Sequence, residues 1–183
     1  GMPEKMPYVS AQGLKGVNSD SAFETYLDQA GLSHDVKSLN PDEYAKAMEL
    51  RNQAKRVTVK RMHGYINGKL GMLIDGTGKN YDKIANMKKQ LQKHGYDCYM
   101  IFVNTDLDVA LERNNKRPRK LPEDMVKKSW QAVQNNMGKF QTLFGANNML
   151  IVDNSEYKEF SRVVKKAANS FVTKPIKNPI AKK

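Results

Sequence analysis

The residues of this chain best suited to chemistry are Asp75-Gly76-Thr77-Gly78, a carboxylate followed by two glycines and a hydroxyl. A hard cation such as Mg²⁺ takes carboxylate oxygen, directly or through water, so Asp75 is a candidate metal ligand. Gly76 and Gly78 let backbone come close to a phosphate, and Thr77 offers a hydroxyl. An ordinary strand-to-helix turn, whose Asp and Thr only satisfy backbone groups, has the same composition. The tetrapeptide therefore takes its meaning from the rest of the chain. Arg113, Lys116, Arg117, Arg119 and Lys120 fall within eight residues beside Pro118, and residues 160–183 hold seven Lys or Arg with no Asp or Glu. With a net charge of +12, an anionic partner such as nucleotide, nucleic acid or a polyphosphate substrate is the natural inference. A generically basic protein is the plain alternative.

Elements that position these residues follow from the pattern. Leu70 to Ile74 is a short apolar run without alternation, which fits a strand buried on both faces, with Asp75 at its carboxyl end. Upstream, Leu14 to Val17 reads as a strand ending in Asn18-Ser19-Asp20, and Ser19 or Asp20 can cap a helix over Ser21 to Gln29. Asn40-Pro41-Asp42-Glu43 starts a helix reaching about Met62, with Tyr44, Met48, Ala54 and Val57 near its buried face. His63 to Lys69 reads as a turn.

Downstream, Asn80 caps a helix over Tyr81 to Lys93, with Ile84, Met87 and Leu91 on one face. Asp97 to Val103 reads as a buried strand ending at Asn104-Thr105, and strand–helix–strand makes the two strands parallel. Thr105 caps a helix, and Pro122 begins a long one to about Leu143, with Met125, Trp130, Val133 and Met137 available for packing. Met149 to Val152 reads as a strand ending at Asp153-Asn154, followed by a helix over about Ser155 to Ser170. The expected class is α/β. An open parallel sheet would place Asp20, Asp75, Asn104-Thr105 and Asp153-Asn154 along one edge, where such sheets bind ligands.

A chain of 183 residues is one domain with room for a core. The expected division is an irregular lead-in over 1–13, an α/β domain over 14–172 and a basic tail over 173–183, with Gly1 ahead of Met2 read as a tag scar. Cys98 is the single cysteine, which excludes an internal disulfide and a cysteine zinc site and suits a reducing cytoplasm. His34, His63 and His94 lack metal-ligand spacing. No apolar run approaches the length of a membrane span.

The order strand, Leu73-Ile74-Asp75-Gly76-Thr77-Gly78, helix, strand, Phe102-Val103-Asn104-Thr105, helix, Glu112-Arg113 through Arg119 to Pro122 resembles the P-loop kinases of the zeta-toxin and polynucleotide-kinase type. Small kinase-like proteins of phages resemble it most. Gly13 to Asp20 and Val152-Asp153-Asn154 add weaker support. The resemblance implies a three-layer, P-loop-kinase-like parallel sheet with flanking helices, and phosphoryl transfer from ATP or GTP with Mg²⁺ to a hydroxyl acceptor. It implies that Asp75 helps hold Mg²⁺ and that Asp20 faces the acceptor and orients or deprotonates its hydroxyl. Arg113, Arg117 and Arg119 would belong to a lid that neutralises charge on the transferring group. Gly76, Thr77, Gly78, Asn104, Thr105, Asp153 and Asn154 would line the nucleotide side. One departure is plain: the phosphate cradle Gly-x-x-x-x-Gly-Lys-Ser/Thr is absent from the sequence. The chain reads as such a kinase without its first strand and P-loop, weak or inactive alone, with sheet edges open to pairing with a second copy.

Three readings follow. The first is a kinase-class enzyme, incomplete as given. The second is a non-catalytic nucleic-acid binder using the 113–128 cluster and the 160–183 segment. The third is a subunit that acts when another chain supplies the P-loop.

Overall fold

The computed structural model describes residues 13–117, 120–155 and 160–183. The chain forms two compact units, Gly1–Gly76 with Arg117–Lys120, and Thr77–Lys116 with Leu121–Lys183.

In the first unit, β1 (Lys15–Val17) leads through α1 (Ser19–Gln29), a 3₁₀ turn at Val36–Ser38 and α2 (Pro41–Asn67) to β2 (Met72–Ile74). β1 and β2 are parallel, with Lys15 opposite Met72 and Val17 opposite Ile74. Asn18, not Ser19 or Asp20, caps α1: its backbone is extended and its side chain accepts from the Asp20 amide, so the helix starts two residues before the expected Ser21. Asn40 and Glu43 form a reciprocal capping box on α2, behind Pro41, which fixes its start.

α2 runs beyond the expected Met62 to Asn67, because nothing in His63–Asn67 breaks a helix. It ends in a paired 6→1 and 5→2 closure, Leu70 N–H to Tyr65 O at 2.9 Å and Lys69 N–H to Ile66 O at 3.0 Å. That closure puts Lys69 at φ 55°, where glycine is the usual occupant. The core is Ala22, Phe23 and Leu27 of α1 against Val36, Ala47 and Ala54. Two small α2 residues seven apart let α1 lie close, so Tyr44, expected inside, stays outside at 48% exposure.

In the second unit, α3 (Tyr81–Lys93) precedes β3 (Met100–Asn104), α4 (Leu107–Lys116), α5 (Glu123–Phe144), β4 (Met149–Asp153) and α6 (Phe160–Val172). β3 and β4 are parallel over five residues, Met100 opposite Met149 through Asn104 opposite Asp153. Each unit is thus a parallel strand pair joined by a helical crossover. Among the described residues no ladder joins β2 to β3; helix α3 links them in sequence, but each strand takes its partner from its own unit.

The core of the second unit gathers Phe102, Phe140, Phe144 and Met149. Phe140 is fully buried and packs its ring near Tyr81 and Phe102, with centroids 5.7 and 6.4 Å away. β3 begins at Met100 rather than Asp97 because Asp97 is engaged elsewhere: its carboxylate accepts from the Lys177 amide at 2.7 Å. Asn178 Nδ2 donates to Gln92 O and Tyr96 O at 2.8 and 3.0 Å. Lys174 lies over the stacked Tyr99 and Phe171 rings, 5.3 and 5.0 Å from their centroids. The C-terminal residues, read from the sequence as a basic tail, are held against the α3–β3 connection by these contacts. No helix among the described residues is long and apolar enough to cross a membrane.

Candidate functional site

In the first unit the parallel ladder carries its carboxyl ends to one edge. Asp75 N–H donates to Val17 O at 3.1 Å, extending the ladder by one bond. Asn18 follows β1 and Asp75 follows β2, and Asn18 Nδ2 donates to Asp75 Oδ2 at 3.0 Å. The same amide's Oδ1 accepts from Asp20 N at 2.8 Å. One side chain thus caps α1 and steadies the carboxylate. Asn18 as an anchor is missed by sequence reasoning, although an Asn between a strand and a helix was the available signal.

Asp75 reaches solvent, yet the protein around its base holds its carboxyl above the usual carboxylate range. Burial is the main cause and the neighbouring Asp20 charge adds to it, while the Gly76 N–H works the other way. Asp75 at the strand edge thus feels the charge of Asp20 in the first turn of α1 and holds its own negative charge reluctantly.

In the second unit the corresponding edge is stitched closed. Asn154 N–H donates to Asn104 O at 2.8 Å, and Ser155 Oγ accepts from Asp106 N at 3.1 Å. Asp153 Oδ1 accepts from Ser155 N at 2.8 Å, and the Ser155 backbone and hydroxyl together lower the Asp153 pKa. Helix α5 touches the end of β3 twice, Trp130 Nε1 donating to Thr105 O at 2.8 Å and Gln134 Nε2 to Asn104 Oδ1 at 2.7 Å. Arg113 Nη2 points to Ser155 O at 3.5 Å. Asn104, Thr105, Arg113, Asp153 and Asn154 are therefore neighbours in one hydrogen-bonded cluster. Ser155, Trp130 and Gln134 complete it; of these the sequence singles out Trp130 only for packing.

The glycine turn is held from α5. Gly78 has φ 70°, a conformation that glycine adopts without strain. Asn136, buried in α5, donates to Gly78 O and Lys79 O at 3.0 and 2.9 Å. Lys79 Nζ lies 3.3 Å from Ser129 Oγ. Ser129, Val133, Asn136 and Phe140 form one stripe of α5 facing the turn, of which sequence reasoning found only Val133. Gly76 has open space around it and Thr77 is exposed.

The basic segment has a clasp at its base. Buried Asn114 donates to Leu121 O at 2.8 Å and accepts from Leu121 N at 2.9 Å. Lys37 Nζ donates to Lys120 O at 2.8 Å. Arg117 is exposed, and Arg119 lies outside the described residues. Among the described residues no group of three or more His, Cys, Asp or Glu is placed to hold a metal by itself.

Residues 33–164, well over half of the chain, match the model of the family described as Zeta toxin. The chain belongs to the Zeta toxin family. This is a P-loop-kinase-like family, and the mixed α/β architecture with short parallel strands is consistent with such a fold. The matched segment contains Asp75, the glycine turn, the Asn104–Thr105 strand end, the Arg113–Lys120 stretch and Asp153; Asn18 and Asp20 precede it. No solved structure matches the chain.

Proposed function

We propose that this chain is a kinase-like phosphotransferase component that handles ATP or GTP with Mg²⁺ and directs phosphoryl transfer to a hydroxyl acceptor. The observation that carries this reading is the pairing of β1 with β2, which sets Asn18 and Asp75 at one strand edge with Asn18 bonded to the Asp75 carboxylate, while Asp20 lies in the first turn of α1. Mg²⁺ is held by one or two carboxylates together with water and substrate phosphate. The donor set fits: Asp75 gives one oxygen to Asn18 and its carboxylate reaches solvent. When bound, the ion neutralises phosphate oxygens. The chain's own residues do the rest: Asp75 receives the ion, Asn18 fixes the carboxylate's orientation, and Asp20 orients or deprotonates the acceptor hydroxyl.

Arg113, Arg117 and Arg119 are assigned to charge neutralisation, a role that guanidinium forks serve well. Gly76, Thr77, Gly78, Asn104, Thr105, Asp153 and Asn154 are assigned to the nucleotide side. Because the sequence has no Gly-x-x-x-x-Gly-Lys-Ser/Thr string, whose backbone amides cradle phosphates, nucleotide affinity should be weak until a cradle-bearing segment is supplied. Each strand has one edge without a ladder partner among the described residues, and such edges accept strands from other chains. Calorimetric titration with Mg-ATP and Mg-GTP tests the reading, using this chain and a version extended by a cradle-bearing segment. Binding strengthened by the extension and lost in Asp75→Asn supports it; no binding by either form removes it.

A second reading, non-catalytic binding of nucleic acid, draws on the net charge of +12. It requires oligonucleotide affinity that falls steeply with salt through counterion release.

A further inference from the structure

Arg61 on α2 stands between two shallow cavities of the first unit. One, of about 130 Å³, is lined by Gly16, Val17, Asn18, Ser21, Thr58, Arg61 and Tyr65. The other, of about 140 Å³, is lined by Ser21, Ala22, Thr25, Tyr26 and Arg61. Ser21 and Arg61 belong to both. Neither wall contains an Asp or Glu, and among the described residues Arg61 has no carboxylate partner. Each space has room for a few water-sized groups, enough for a small anionic head.

The hydrogen-bonding character of the walls is divided. Arg61 presents a guanidinium whose fork matches phosphate geometry, and Ser21 adds a hydroxyl. Thr58 Oγ1 and Thr25 Oγ1 already donate to Ala54 O at 2.8 Å and Ser21 O at 2.9 Å, so toward the cavities they offer only lone pairs. Such lone pairs suit a ligand hydroxyl rather than a phosphate oxygen. Donors at the centre and acceptors to the sides fit a phosphate ester on a hydroxylated body.

We infer that Arg61, with Ser21, Thr25 and Thr58, forms a subsite for a phosphate monoester of a hydroxylated small molecule, anchoring the acceptor beside Asp20. The acceptor assignment rests on the kinase reading; the binding of the phosphate ester does not. Asn18 and Ser21 line the first cavity, which therefore lies at the N-terminal end of α1 that carries Asp20, although Asp20 itself lines neither cavity.

The test is a ¹H–¹⁵N NMR titration of the full chain with ribose 5-phosphate, without Mg²⁺ or nucleotide, compared with ribose alone. The expected result is saturable shifts at Ser21, Thr58 and Arg61 with ribose 5-phosphate and none with ribose. Arg61→Gln should weaken that binding by about tenfold, the worth of one charged hydrogen-bonded contact. Arg56→Gln, an exposed change on the same helix, should leave it nearly unchanged. Absent or non-saturable shifts, or equal weakening by Arg61→Gln and Arg56→Gln, would overturn the subsite and assign the response to diffuse surface charge. Mg-nucleotide binding without the ribose 5-phosphate response would sink the subsite alone, and a ribose 5-phosphate response with no Mg-nucleotide binding by either this chain or its cradle-extended form would sink the kinase reading alone.

Discussion

Replacing Asn136 by leucine should cost about 2 kcal/mol while leaving the bulk of the α5 packing in place. Asn136 is 7% exposed, and its amide makes two hydrogen bonds, to Gly78 O at 3.0 Å and Lys79 O at 2.9 Å. Leucine has a similar volume and no donor. A buried acceptor left without a partner costs roughly 1–3 kcal/mol. Gly78 is only half-buried and Lys79 is exposed, so water recovers most of the second bond and part of the first. The added apolar contact against Val133 and Phe140 offsets a fraction of the remainder, which leaves about 2 kcal/mol.

For a chain of this size that corresponds to a fall in Tm of about 4–8 °C. Urea unfolding followed by circular dichroism, at a fixed pH, reads the change in midpoint. Asn135→Leu is the matched control, because Asn135 is the exposed neighbour and should change stability by less than about 0.5 kcal/mol. Equal effects of the two substitutions, or an Asn136→Leu protein as stable as the parent, would refute the claim that this amide holds the glycine turn on α5.

Lys69→Gly should stabilise the protein by about 0.4–1 kcal/mol, because Lys69 adopts φ 55° at the end of α2, where glycine relieves backbone strain; thermal denaturation checks it, and a loss of stability would contradict it. Asp75→Asn should be no less stable than the parent at pH 7. The folded carboxyl titrates above its unfolded value, so its stabilising contribution is present at low pH and lost as pH rises through the folded pKa. Urea midpoints at pH 4 and pH 7 should show the variant gaining relative to the parent as pH rises, and the opposite trend would exclude the raised carboxyl. Cys98 should react slowly with a thiol reagent at pH 7, since burial pushes its pKa up to about 11, leaving a thiolate fraction on the order of 1 in 10⁴; rapid labelling without unfolding would contradict that burial.

What the sequence made legible was local. Asn80 before Tyr81 and Asn40-Pro41 with Glu43 are residues whose own chemistry starts a helix, and each stands where expected. α2 overran its expected end because the stop is a conformation adopted by Lys69, a residue with no preference for it. Ladder partners were less legible, since β2 could as well have paired with β3 as with β1 on periodicity alone. Candidate site residues at strand ends were readable because α/β sheets bind ligands there. Asn136 and Ser155 were not, because an amide or hydroxyl becomes an anchor only when a distant backbone group is brought to it. Asn114, seven residues from Leu121, was hidden for a related reason: its pair of bonds depends on how the basic segment returns.

The most direct test of the central claim is a ¹H–¹⁵N NMR titration of this chain with Mg-ATP, repeated on Asp75→Asn. A strand-edge carboxylate that receives Mg²⁺ predicts shifts at Asn18, Asp75 and Gly76 in the parent, even at weak affinity, and their loss in the variant. Shifts at those positions that persist unchanged in Asp75→Asn, or a response confined to the lysine-rich C-terminal residues, would contradict it.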